Sequence, residues 1–398
     1  MKVVHISSSD TGGAGIAAKR LNDALNNAGV DSTLLCVHKS TSGHKIVQHQ
    51  IPISAKLLTH SHLPIGQNKY LNHISEFEQA YEAVSFPEAF YDLSDNELVK
   101  QADIINLHWV GSILNYKQFF AKTTQPIVWT LHDMNPFLGI AHYMGDLNKN
   151  RGFKTIEDKV AHIKYNAISK HQNVHVVNLC DWMKGFSMNS KVFSSRSHSI
   201  IPNSIDIGTF THRDKTACRK ALNLNPDDKI VLFCAQSAHN HRKGFDLLLN
   251  ALKMLKSDIV LAIVGDAENI QLPCNLRHIG FGSVHNELMM SIIYSASDLF
   301  VLPSREDNLP NTMVESLCCG TPVVSFSNGG MKNVIADNIS GKLIDEQSAR
   351  ALAEAINGML SSMNTINNAE ISSNARAIFQ PSQQANEYIS LYNSLLKA

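Results

Sequence analysis

Neither sign of charge prevails in this sequence of 398 residues: Lys and Arg number 35, Asp and Glu 35, and the formal net charge is zero. That balance removes the electrostatic footprint of a nucleic-acid-binding protein, and none is expected as a partner. The seven cysteines include no CxxC pair. An odd count without framework spacing fits reduced thiols packed as small hydrophobes in a cytosolic protein. No window approaches the roughly 18 apolar residues of a spanning helix. The opening MKVVHISSSD has only VVHI as its apolar run, too short for a secretion signal. A cytoplasmic protein is expected, with peripheral membrane contact left open. The 19 histidines show no HExxH or other ligand spacing, and no Asp-x-Asp pair stands in a phosphate-binding position, so no metal is expected. Low-complexity tracts and short-period repeats are absent too.

What the sequence does contain is alternation. Short β-branched runs alternate with amphipathic stretches almost throughout. The runs fall at 2–6, 33–37, 103–107, 127–131, 174–177, 198–201, 229–234, 259–264, 299–302 and 322–326. Several are continuously apolar, the mark of strands covered on both faces in a parallel sheet. Helical patterns occupy 15–28, 156–170, 245–255, 287–296 and 311–319. The order predicts doubly wound α/β sheets in two series, one starting at Lys2 and the other near Lys229. The turn chemistry of Pro202-Asn203-Ser204 places the division there. The expected domains are 1–203, with an irregular insertion at about 38–90, and 204–379; a terminal helix over 380–398 follows.

Four segments could carry chemistry. SSSDTGGAGI (7–16) follows the first strand and opens a helix. Its glycines permit close backbone approach, and a helix N-terminus favours an anion. The loop is not a GxGxxG fingerprint, and Asp31 is a poor ribose carboxylate because it precedes its strand. VWTLHDMNPF (128–137) ends a strand in His132-Asp133, and NLHWVG (106–111) puts His108 and Trp109 at another strand end. Strand ends are where α/β sheets bind ligands. His132 there could donate a hydrogen bond or shuttle a proton, and Asp133 could act as a base or fix a loop. NHRKGFDLLLNAL (240–252) sets Arg242 and Lys243 before an amphipathic helix, suited to a diphosphate. Each of these segments also has a plain structural explanation as a turn, a loop or a solvated surface. SREDNLPNTMVESLCCGTPVV (304–324) carries more weight. Asp307 precedes a helix and Glu315 lies inside it, eight positions on. A carboxylate on that otherwise apolar helix needs a partner, and two ribose hydroxyls would serve.

Segment 304–324 resembles the C-terminal signature of the family-four retaining glycosyltransferases of the GT-B fold. Other pieces follow in the family's order: TGGAG, LHD, IPNSID, RKGFDLLLNAL and SNGG. EDNLPNT and LHD look most like members that build bacterial exopolysaccharide, capsule or lipopolysaccharide. The resemblance implies two Rossmann-like domains whose parallel sheets face each other across a cleft. It implies transfer of a hexose-type sugar from a nucleoside-diphosphate sugar to a glycan or lipid-linked glycan, with no cofactor and with retention of configuration. Carried over by residue, Glu315 would hold the ribose and Lys243 the diphosphate, with Arg242 beside it. Asp307 would contact the sugar, near the amides of Asn308 and Leu309. Gly12 and Gly13 would approach the phosphate, and His132 would stand near the reacting carbon. Two positions depart from the family: Asp307 stands where Glu is commoner, with Glu306 adjacent, and Ser237 occupies the place of a second clamp Arg. These departures keep two alternatives in view, a nucleotide-sugar epimerase of the same fold and a non-catalytic nucleotide-sugar-binding protein.

Overall fold

The computed structural model describes residues 1–43, 45–56, 83–255 and 258–397. It divides into two compact units, one of Met1–Asn203 with Ser382–Ala398 and the other of Ser204–Pro381. The first holds strands β1 (Lys2–Ser9), β2 (Asp31–His38), β3 (Ile46–Gln48), β4 (Ile104–Leu107), β5 (Ile127–Leu131), β6 (Val174–Asn178) and β7 (Ser197–Ile200). They pair in the order β3-β2-β1-β4-β5-β6-β7, and every pairing is parallel. The second unit holds β8 (Ile230–Ser237), β9 (Val260–Asp266), β10 (Arg277–Gly282), β11 (Leu299–Leu302), β12 (Val323–Phe326) and β13 (Gly341–Ile344). Their order is β10-β9-β8-β11-β12-β13, again all parallel. In each unit the chain winds outward one way from the first strand and then outward the other way. The reversal leaves a crevice at the carboxyl ends of β1 and β4, and of β8 and β11, where such sheets take ligands.

Burial explains the strand pattern. β4, β5, β6, β11 and β12 are buried along their whole length, which requires apolar residues on both faces. In the first unit one face packs Trp129 against Tyr116, Phe120 and Phe193. The other face packs Val3, Ile104 and Val128 against Leu21 and Leu25, and also against Tyr388 and Tyr392 of the helix Pro381–Leu395. Two hydrogen bonds tie that helix down: Asn106 Nδ2 donates to the Tyr392 hydroxyl at 2.8 Å, and Thr130 Oγ1 meets the Tyr388 hydroxyl at 2.8 Å. In the second unit Phe233, Leu261 and Val301 pack against Phe245, Leu248, Leu352 and Ile356.

Several expectations need correction. Three strands were not anticipated, β3, β10 and β13, and all three lie at sheet edges. An edge strand has one neighbour and an exposed side, so no long apolar run betrays it; RHIGFG of β10 alternates exposed and half-buried positions. β3 also removes part of the supposed irregular insertion at 38–90, since it pairs with β2; residues 57–82 of that segment lie outside the described residues. The first helix begins at Gly12, not at residue 15. Among the described residues no helix is long and apolar enough to cross a membrane.

Candidate functional site

The crevice of the second unit gathers the charged residues. After β8 the chain makes one 3-10 turn, His241–Lys243, which Asn240 caps by accepting from the Arg242 amide at 3.0 Å. Gly244 then takes a left-handed conformation, φ 70°, against the Pro303 carbonyl, where a β-carbon would collide. That close approach brings the loop after β8 onto the loop after β11. The Arg305 amide donates to the Arg242 carbonyl at 2.7 Å, and Arg242 Nη1 donates to the Glu306 carbonyl at 2.8 Å. The Arg305 guanidinium bridges the His241 carbonyl and the Asp246 carboxylate.

Two cations converge on one carboxylate. Lys243 Nζ lies 2.7 Å from Asp307 Oδ2, and Arg242 Nη1 lies 3.3 Å from Asp307 Oδ1. The Asn308 amide and the Ser304 hydroxyl also donate to Asp307. Burial would raise the Asp307 carboxyl, but Lys243 and Arg242 outweigh it and hold the group down to about 2. It is therefore ionised, and the local sum of two cations and one anion stays positive, which suits a further anion. Asp307 is thus a carboxylate that meets both Arg242 and Lys243. Beyond it Pro310 caps the helix Asn311–Cys318, which carries Glu315 on its buried side. Glu315 is only 8% exposed, and the Tyr294 hydroxyl donates to its Oε2 at 3.2 Å. Sequence reasoning missed Asn328, whose Nδ2 donates to the Ser304 carbonyl at 2.9 Å, and Gly330, whose amide donates to the Asn308 carbonyl. Both brace the 304–308 loop; their place in SNGG was the available signal.

In the first unit the loop after β1 is anchored by Asp10. Its carboxylate accepts from the Ser40 and Thr41 amides and from Thr41 Oγ1, at 2.6–2.8 Å. At the helix starting at Gly12, nothing among the described residues stands within 4 Å of a β-carbon built on Gly12 or Gly13, and Gly12 has φ 71°. Gly15 differs: a β-carbon there would strike the Ser9 carbonyl, so it serves helix–strand packing and not ligand approach. Asp31 opens β2 and pairs with Lys45 at 2.7 Å.

His132 follows β5 and sits partly exposed at its carboxyl end. Its Nε2 lies 2.9 Å from His108 Nδ1, and His108 Nε2 lies 2.9 Å from His5 Nδ1. Burial lowers the His132 imidazole to about 4, though Asp133 pulls it upward, and the ring is neutral near pH 7. Asp133 is an anchor: it accepts from Trp109 Nε1 at 2.6 Å and from the Asn135 amide at 3.0 Å, and pairs with His142 Nδ1 at 2.6 Å. The segment NLHWVG thus supplies partners to both residues of the His132-Asp133 pair. Its position at the end of β4, next to β5, was the clue. Among the described residues no group of three His, Cys, Asp or Glu side chains could hold a metal ion.

Residues 214–378 match the family model described as glycosyl transferases group 1. Curated relatives include a D-inositol 3-phosphate glycosyltransferase of Segniliparus rotundus, 31% identical over 37% of this chain and 35% of its own length. Another, from Xylanimonas cellulosilytica, is 27% identical over 59% of this chain and 58% of its own length. The chain thus spans from about a third to somewhat over half of the relatives it matches. Solved structures match it end to end. A sucrose-phosphate synthase from Thermosynechococcus elongatus has a TM-score of 0.71 at 18% identity and covers 100% of both chains. Anabaena HepE in complex with UDP and glucose has a TM-score of 0.62 at 15% identity, covering 99% of this chain and 100% of its own. Residues 214–378 are thus similar to the group 1 glycosyl transferases, within a chain whose two parallel α/β units have the GT-B fold.

Proposed function

We propose that this chain is a retaining, metal-independent glycosyltransferase. It moves a hexose-type sugar from a nucleoside-diphosphate sugar to a glycan or lipid-linked glycan, in the building of a bacterial exopolysaccharide, capsule or lipopolysaccharide. The observation that supports this most is the convergence of Arg242 and Lys243 on Asp307 at the crevice of the second sheet, inside the segment that matches the family model. The acceptor class rests on the resemblance of EDNLPNT and LHD.

The bond to be broken joins the anomeric carbon to the diphosphate, and the difficulty is the negative charge that grows on the leaving group. Lys243 and Arg242 would stabilise it as fixed cations, the work that preorganised donors do best. Gly12 and Gly13, at a helix start, would let a phosphate approach the backbone. Asp307, with the Asn308 and Leu309 backbone, would hold the sugar, and Glu315 the ribose hydroxyls. The acceptor hydroxyl would attack from the face that the diphosphate leaves, passing its proton to the departing phosphate oxygen. No protein nucleophile is assigned. His132 would steady the positively charged sugar ring by orienting its oxygens. The protein would work in the cytoplasm, peripherally on the inner membrane.

A thermal-shift screen against UDP-, GDP- and ADP-sugars tests the donor. One base class should raise the melting temperature, by the equivalent of about 2.7 kcal/mol at a hundredfold excess over Kd. No shift with any of the three would overturn the proposal. With the donor found, sugar transfer in the presence of a chelator separates a transferase from an epimerase, which would release isomerised donor. One observation favours a different acceptor: the curated relatives are named D-inositol 3-phosphate glycosyltransferases. An inositol phosphate belongs beside the glycans in the acceptor panel.

Two substitutions separate binding from chemistry. Glu315→Ala should weaken nucleotide affinity roughly tenfold to a hundredfold, the loss of hydrogen bonds to a charged group; unchanged affinity would remove Glu315 from the ribose. His132→Ala should lower turnover about 10²-fold with donor affinity retained. Near-normal turnover would remove His132 from the reaction.

A further inference from the structure

Two helices of the second unit meet over Glu315. Tyr294 lies in the last turn of the helix Glu287–Ala296 and is wholly buried. Its ring stands edge-on to Phe300, with centroids 5.8 Å apart, and tilted against Phe210 at 6.5 Å. Its backbone is tied to the turn that ends the helix Asn311–Cys318: Thr321 Oγ1 donates to the Tyr294 carbonyl at 2.6 Å, and Ser316 Oγ donates to the Thr321 carbonyl at 3.0 Å. One turn earlier, Ser291 Oγ meets Cys319 Sγ at 3.3 Å. Ring and backbone are both fixed relative to the helix that carries Glu315. A phenol buried this deeply needs a partner for its hydroxyl, and Glu315 Oε2 accepts from it at 3.2 Å. Burial above all, with Cys234, Glu315 and Cys319 beside it, pushes the phenol well above its ordinary value. Tyr294 keeps its proton and meets the carboxylate as a donor.

A glutamate side chain is rich in rotamers, and ordering it when a ligand binds costs affinity. A fixed donor on one oxygen settles the rotamer before the nucleotide arrives. It occupies only one of the roughly four acceptor directions of a carboxylate, so the contact orients the group without filling it. We propose that Tyr294 is a positioning residue of the donor site: its hydroxyl sets the Glu315 carboxylate, and through it the preference for a nucleotide that carries ribose hydroxyls over one that lacks them. That role exists only if Glu315 holds the ribose, the reading proposed above. A tyrosine that only filled the core would stabilise the unit without favouring either nucleotide.

The test is isothermal titration of the whole protein with UDP, GDP and ADP, and then with the dideoxyribose counterpart of whichever binds. The wild type should prefer the ribose form about tenfold to a hundredfold. Tyr294→Phe keeps the ring and removes the hydroxyl. Affinity for the ribose form should then fall about threefold to tenfold, the loss of one modest hydrogen bond, while affinity for the dideoxy form and kcat at saturating donor stay at the wild-type level. Within Glu315→Ala, the same substitution should change neither affinity. An equal loss for both nucleotides, an unchanged affinity for the ribose form, or a full loss retained within Glu315→Ala would overturn the proposal. If Tyr294→Phe fails to fold, a crystal structure of the wild type with the bound diphosphate decides: Glu315 should touch the ribose with its Tyr294 contact intact, and a contact broken on binding would overturn the role. A wild type that binds both nucleotides equally sinks the ribose reading, and this role with it. A preference lost in Glu315→Ala but kept in full in Tyr294→Phe sinks only the role of Tyr294.

Discussion

Replacing Lys243 by alanine is expected to lower turnover about 10²- to 10³-fold, the usual consequence of removing one preorganised donor from a developing negative charge. Lys243 sits on a 3-10 turn whose end is locked by Gly244 against Pro303, so its ammonium is aimed before any ligand arrives. Without it, Asp307 keeps only Arg242 as a cationic partner and its carboxyl rises from about 2 toward the ordinary carboxylate range. The local sum of Arg242, Lys243 and Asp307 changes from net positive to neutral, which removes its preference for an anion. Arginine at the same position is not an equivalent cation, since a planar fork replaces a point charge. Arg242→Ala should act differently, because that guanidinium also holds the Glu306 carbonyl; its loss loosens the 304–308 loop as well as removing charge. Initial rates and nucleotide affinities for both variants check this. Turnover of Lys243→Ala within about threefold of the wild type, set against the drop that losing a preorganised donor produces, would take Lys243 out of the clamp.

The second large effect lies under the His132 loop and concerns stability. Lys164 and Glu157 project from one face of the helix Lys154–Ile168. The Lys164 ammonium donates to the carbonyls of Asn135 and Gly139 at 2.5 and 2.6 Å. The Glu157 carboxylate accepts from the amides of Ile140 and Ala141, both at 2.9 Å. One helix thus grips segment 135–141 by its acceptors with the Lys164 amine, which burial lowers to about 7, and by its donors with the Glu157 carboxylate. Burial raises the Glu157 carboxyl, and the Ala141 and Ile140 amides and Lys164 work against that rise. Lys164→Ala should cost about 3–5 kcal/mol, since it leaves the buried Asn135 and Gly139 carbonyls without their donor, at about 1–3 kcal/mol each. Urea unfolding monitored by tryptophan fluorescence measures it. A loss below about 1 kcal/mol in Lys164→Ala, well short of what two orphaned carbonyls cost, would show that the grip contributes little.

The alternation of continuous apolar runs with amphipathic stretches was enough, by itself, to place β5 and β11 at their observed residues and the helix Glu287–Ala296 likewise. The two strands are central and enclosed and the helix buries one face, so in each the pattern is written locally. The edge strands β3, β10 and β13 answer to one neighbour and to solvent, and left no such pattern. The charged residues of the second crevice were likewise visible as a motif, because Asp307 and Glu315 lie eight positions apart on one loop and helix.

Partnerships were another matter. That Asp307 is the anion shared by Arg242 and Lys243 depends on β8 and β11 lying side by side across 64 residues of chain. His5, His108 and His132 are separated by 103 and 24 residues and meet only because the sheet orders its strands β1, β4, β5. The sequence by itself determined which residue types stand at the strand ends. Only the tertiary structure decided which of them touch, because contact follows sheet order, and sheet order is a property of the whole packed unit.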